Sequence, residues 1–79
     1  MPTVIEGEVR ELLLRILNVP PAGPAAMLRP DIAQWDSLKH MEIVFALEDR
    51  YGVAFDESEF QLLDSPAAIT AVLRRHLAA

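Results

Sequence analysis

The stretch QWDSLKHMEIVFALEDRYG, residues 34–52, decides how this chain is read. An aspartate–serine pair stands before a nearly continuous apolar run, and a glycine closes it. That order predicts a helix from about Leu38 to Tyr51, with Asp36–Ser37 as a cap at its start and Gly52 as its C-terminal stop. On a helical wheel Val44, Leu47 and Tyr51 form the stripe that faces a core, while Leu38, Met41 and Phe45 cluster on another side. Glu42 and Asp49 border that second cluster on the edge away from the core. Two readings of it are open: an apolar docking patch with a charged rim, or ordinary core covered by a neighbouring element.

Outward from this helix, the N-terminal side holds the loop NVPPAGPAAMLRPDIAQ, residues 18–34, with four of the six prolines in the chain. No long helix or strand passes through such a run, and its apolar members Met27, Leu28, Ile32 and Trp35 are expected to pin it to the core. Before the loop, Thr3 and Glu6 have capping-box spacing. Ile5, Val9, Leu12, Leu13 and Ile16 then share one face of a helix over about residues 4–17. Gly7 weakens that helix by about 1 kcal/mol relative to alanine. On the C-terminal side, Asp56 and Glu59 repeat the capping-box spacing ahead of a short helix over 57–62. Ser65 followed by Pro66 then opens a last helix to about Leu77, with Ile69, Val72 and Leu73 on its core face. Arg74, Arg75 and His76 close it at the negative end of its dipole. The expectation is an all-α fold: a small four-helix bundle, three main helices and one short one, with a long first loop, in a single domain over residues 1–79.

The composition narrows the functions available. The 79 residues are 52% hydrophobic and contain no cysteine, which excludes disulfides, thiolate catalysis by the chain and cysteine-ligated metal. The N-terminus lacks the basic flank and apolar run of a signal peptide, so cytoplasmic residence is expected. The net charge of −5 is uneven, with four acids and three bases in residues 1–35 against eight acids and four bases in residues 36–79. Such a field repels nucleic acid and anionic membrane and suits a basic protein partner. Two histidines on separate helices make no metal site. An enzyme reading would need Ser37 with His40 or His76, yet the G-x-S-x-G elbow is missing and no sheet is expected to support one. His40 borders the core stripe and reads as a half-buried structural residue, His76 as a partner of the last helix's C-terminus, and Trp35 as a loop anchor.

Ser37 carries the remaining question. The start of a helix offers unpaired N–H groups and the positive end of the dipole, where a phosphate joined to the serine oxygen would be well placed. Asp36 beside it could orient an attacking hydroxyl's surroundings or meet a divalent ion. The same residues serve equally well as a plain helix cap.

The run DSLKHMEIVFALEDRYGVAF resembles the central segment of acyl carrier proteins. In that family a D-S-L motif opens the second helix, here Asp36, Ser37 and Leu38, and the helix ends in patterns like that of Ala46 to Val53. The order of helix, long loop, helix, short helix and a helix after D-S-P extends the resemblance over essentially the whole chain. It implies that Ser37 is esterified by 4′-phosphopantetheine, transferred from coenzyme A by a phosphopantetheinyl transferase, with Asp36 and Leu38 flanking the attachment. It further implies a protein that catalyses nothing itself and carries an acyl-type group as a thioester, an aminoacyl or peptidyl cargo being the alternative. Leu38, Lys39, Met41, Glu42, Phe45, Glu48 and Asp49 match the positions that meet acyl-loading and acyl-transferring enzymes. Lys39 and Arg50 stand where fatty-acid carriers often have acids, and W-D-S-L looks more like stand-alone carriers of specialised pathways, polyketide and nonribosomal types among them. A discrete, monomeric carrier is expected. An unmodified helical adaptor stays open as the rival.

Overall fold

A computed structural model describes residues 4–19 and 27–78. Among the described residues four helices follow one another: α1 over Val4–Leu17, α2 over Ser37–Tyr51, α3 over Glu57–Phe60 and α4 over Pro66–Ala78. A 3-10 turn, Arg29–Asp31, lies in the described part of the first loop. No strand occurs among the described residues, so the all-α expectation holds. α1 packs against both α2 and α4. Their apolar stripes close one core around Val9, Leu13, Leu17, Ile43, Val44, Leu47, Leu63, Ile69 and Leu73.

The helix boundaries follow local chemistry. α1 runs through Gly7, where an added Cβ would meet nothing within 4 Å, and its expected cap Thr3 lies outside the described residues. The helix ends at Asn18 in the left-handed region (φ 56°), a conformation asparagine accepts more readily than most residues. Val19 N–H then bonds back to Leu14 O at 3.1 Å. Gly52 ends α2 in the same left-handed conformation, φ 64°. Ser65 Oγ accepts the Ala68 N–H at 3.1 Å and starts α4 with Pro66 as its first residue. α3 is shorter than its expected span and stops at Phe60.

Of the packing expectations, that for Leu28 fails, and those for Tyr51 and the α1 face hold in part. Leu28 does not pin the loop: it is exposed, and Met27, Ile32 and Trp35 fill the core from that side. Arg29 supplies the anchor there instead, its N–H bonding Asp64 O at 2.8 Å. Tyr51 is only partly buried, because the last turn of α2 meets Glu8 of α1 and the hydroxyl reaches that carboxylate at 2.8 Å. The stripe of α2 is completed by His40 and Ile43, both buried. On α1, Leu17 is fully buried, whereas Ile5, Leu12 and Ile16 are partly buried at the margin.

Candidate functional site at the start of α2

Asp36 and Ser37 divide the work that the sequence left shared between them. Asp36 is the N-cap: its backbone is extended, and Oδ1 accepts the Lys39 N–H at 2.9 Å. Ser37 is already the first helical residue, not the cap. Its side chain is exposed and its hydroxyl makes no hydrogen bond with the described residues. An exposed hydroxyl with no intramolecular role, at the end of a helix that favours an anion, is chemically suited to carry a phosphodiester. The described residues contain no group of three or more His, Cys, Asp or Glu able to hold a metal.

The residue before Asp36 is fixed from several directions. Trp35 is 4% exposed. Its N–H bonds Ile32 O at 3.0 Å, its carbonyl accepts Arg29 Nε–H at 3.4 Å, and its indole Nε1–H donates to His40 Nδ1 at 2.9 Å. Indole nitrogen is a donor only, so His40 Nδ1 is the acceptor and Nε2 carries the hydrogen. That Nε2–H donates to Phe60 O, 2.7 Å away at the end of α3. His40 is thus more deeply placed than its half-buried expectation, at 6% exposure.

The outer face of α2 runs from this point. Leu38 and Phe45 are 70% and 59% exposed, Met41 is half-buried, and Glu42 and Asp49 are exposed beside them. Among the described residues no neighbouring element closes over Leu38 and Phe45. The acidity of this face is partly cancelled within it, since Lys39 Nζ lies 3.4 Å from Glu42 Oε2. Glu48 turns away, accepting the Phe55 N–H at 2.9 Å. Arg50 leans toward Glu8 of α1 at 3.8 Å.

Away from this face, a pairing that sequence spacing did not reveal joins α3 to α4. His76 Nε2 lies 3.0 Å from both carboxylate oxygens of Glu59 and meets Phe55 edge-on. Glu59 also accepts the Asp56 N–H at 2.9 Å, completing the expected capping box. That backbone bond holds the Glu59 carboxyl below its ordinary value of 4.5; burial opposes it and the His76 ring adds to it. His76 is therefore a tie to α3 and not a partner of its own helix's C-terminus.

The fold and the geometry at Ser37 define a small helical bundle that presents a serine hydroxyl at the start of its second helix. The family model described as a phosphopantetheine attachment site matches residues 7–73, from α1 into α4 and across Ser37. The chain belongs to that family, whose members are carrier domains bearing covalently attached 4′-phosphopantetheine and working with modifying and biosynthetic enzymes. No curated protein and no solved structure matches the chain. No helix among the described residues is long and apolar enough to cross a membrane.

Proposed function

We propose that this chain, as one carrier domain, holds an acyl-type group as a thioester on 4′-phosphopantetheine attached to Ser37 and presents it to biosynthetic enzymes. The observation that carries this reading is the division of labour at residues 36 and 37. Asp36 satisfies the helix start, which leaves the Ser37 hydroxyl exposed and unengaged in a segment matched by the attachment-site family. In the modification, Ser37 Oγ attacks the β-phosphorus of coenzyme A's pyrophosphate. A serine–phosphorus ester forms, the pyrophosphate P–O bond breaks, 3′-phosphoadenosine 5′-phosphate departs, and the serine proton passes to a base on the transferase. The bound arm supplies the terminal thiol that a chain without cysteine lacks. The chain's own part is to hold Ser37 outward, to flank it with Asp36 and Leu38, and to offer α2 as the surface partners read. It performs no catalysis itself.

Leu38, Met41 and Phe45 supply an apolar centre for that surface, and Lys39, Glu42 and Asp49 supply its rim. Glu48 contributes less, being committed to the Phe55 N–H. The Lys39–Glu42 pair lowers the net charge a partner meets, which fits enzymes of a specialised pathway better than ones built for a strongly acidic carrier. We place the protein in the cytoplasm, as a monomer. Intact mass after incubation with coenzyme A, magnesium and a broad-specificity phosphopantetheinyl transferase tests the attachment. Wild type should gain one phosphopantetheinyl group and Ser37→Ala none. A folded wild type that gains no mass, beside a control carrier that does, overturns the reading.

A further inference from the structure

His40 binds the two residues that immediately precede Ser37, by different parts of itself. Its backbone N–H bonds Asp36 O at 2.9 Å, and its ring Nδ1 accepts the Trp35 indole N–H at 2.9 Å. The chain from Trp35 to His40 is thereby closed into a ring whose side-chain half is buried. The Ser37 hydroxyl projects from that ring without a hydrogen bond to the described residues. Where the serine backbone sits is therefore decided by its neighbours. The far side of the imidazole reaches Phe60 O at 2.7 Å, so the same ring is referenced to the end of α3.

Packing alone does not account for this arrangement. A buried indole needs an acceptor, yet a backbone carbonyl would serve, and many anchoring tryptophans need no second link. Here the acceptor is an imidazole whose tautomer is set by the indole and whose other nitrogen is used at once on α3. Every buried side-chain polar atom among the described residues is satisfied, so the loss of any member leaves a buried group without its partner.

We infer that Trp35 and His40 are positioning residues for the modification of Ser37, holding its hydroxyl in the attitude from which it attacks the transferred phosphorus. The inference rests on the carrier reading and adds to it two residues that never touch the incoming group. Attack in line on a phosphorus held by another protein is sensitive to small displacements of the nucleophile. A loosened Trp35–Ser37 segment slows the step even when the bundle is intact.

The test is steady-state phosphopantetheinylation of wild type, Trp35→Phe, His40→Leu and His40→Gln. It is run at a temperature where circular dichroism shows each variant fully folded. Trp35→Phe keeps an aromatic ring while removing the donor and some buried volume, and it remains informative if His40→Leu fails to fold. Trp35→Phe and His40→Leu should lower kcat about tenfold with little change in KM for the carrier, as expected for an interaction that matters in the transition state. His40→Gln, which keeps an acceptor and a donor on one side chain, should recover most of that loss. The chain has a single tryptophan, so its indole N–H resonance reports the bond without ambiguity and should shift in His40→Leu but stay near its wild-type position in His40→Gln. Folded variants that are modified at the wild-type rate overturn the positioning role, as does a kcat loss that His40→Gln shares in full. A wild type that is never modified overturns the carrier reading and this inference with it, whereas the first two results leave that reading standing.

Discussion

At its N-terminal end α2 is fastened by neutral groups shielded from water, the Trp35 indole, the His40 imidazole and the Phe60 carbonyl, joined at 2.9 and 2.7 Å. At its C-terminal end it is fastened to α1 by a carboxylate shared between a phenol and a guanidinium, Glu8 with Tyr51 at 2.8 Å and Arg50 at 3.8 Å. The second set lies at the surface, with the Arg50 and Glu8 side chains 43% and 36% exposed. A buried neutral network loses a great deal when one member is removed and is indifferent to salt. A surface ionic one loses little and is screened. The rigid end is the one that carries the serine. The adjustable end lies at the other end of the helix from Ser37, the proposed site of modification.

The largest effect should come from breaking the buried end. His40→Leu leaves the buried Trp35 N–H without an acceptor and the Phe60 carbonyl with only the Leu63 N–H at 3.3 Å, at a cost of about 1–3 kcal/mol, read as a lower denaturant midpoint with an unchanged slope. A cost no greater than that of a surface substitution would show that water replaces the ring and that the two ends of α2 are not different in kind.

A smaller effect separates the two neighbours at the helix start. Asp36→Ala removes the cap and should cost about 1 kcal/mol, while Ser37→Ala should stay within about 0.5 kcal/mol of wild type although it abolishes modification. Equal losses from both would return Ser37 to the capping role and remove the main support for its use as an attachment point.

How much of this was legible in the sequence depends on the range of the interaction. Asp–Ser before an apolar run, Gly52 after it and Ser–Pro before α4 are local signals, and they placed the helices within a residue or two. Helical rotation grouped Leu38 and Phe45 on one side of α2 but left open whether a neighbour covers them; the structure leaves both exposed. The ties between elements were beyond local signals. Rotation put Tyr51 on the core stripe but could not say that the stripe ends against Glu8, where a hydroxyl is better served than a methyl. It put His76 near the end of α4 but could not supply Glu59, which chain geometry brings to it across 17 residues. Even the five-residue spacing of Trp35 and His40 was readable only in hindsight, because one lies in a loop of irregular course. Leu28 failed for the same reason: its neighbours Met27 and Ile32 take the core positions, and no periodicity governs a loop.

At the surface end, Glu8→Gln should cost about 0.5–1 kcal/mol at low salt and less in 1 M sodium chloride. A salt-independent loss would mean that the Tyr51 hydrogen bond, not the charge, holds α1 to α2 there.

Acid should loosen the molecule elsewhere. The Glu59 carboxyl is held below its ordinary 4.5, so its contribution is present above that value and is lost as the pH falls through the lower folded-state value. Amide exchange followed from pH 6 downward should show protection at the junction of α3 and α4 fading before that at the α1–α2 contact. His76→Gln should narrow the difference.

The smallest effect is the most direct reading of the surface end. Burial first, and then the Glu8 carboxylate as hydrogen-bond acceptor and as charge, push the Tyr51 hydroxyl above its ordinary 10.0, and Arg50 offsets only part of this. For a phenol this direction means that its stabilisation is fully present below the unfolded-state value and disappears as the pH rises through the folded one. The chain has a single tyrosine, so its ultraviolet absorbance titrates one group. The midpoint should lie above 10.0 in wild type and fall only part of the way back in Glu8→Gln, because burial, the leading cause, survives the substitution. A complete return would make the carboxylate the dominant cause and Tyr51 an essentially solvated residue, and the end of α2 would then be held by charge alone. A midpoint unmoved by Glu8→Gln would leave burial as the sole cause, and the contrast between the two ends of the helix would narrow to a difference in depth.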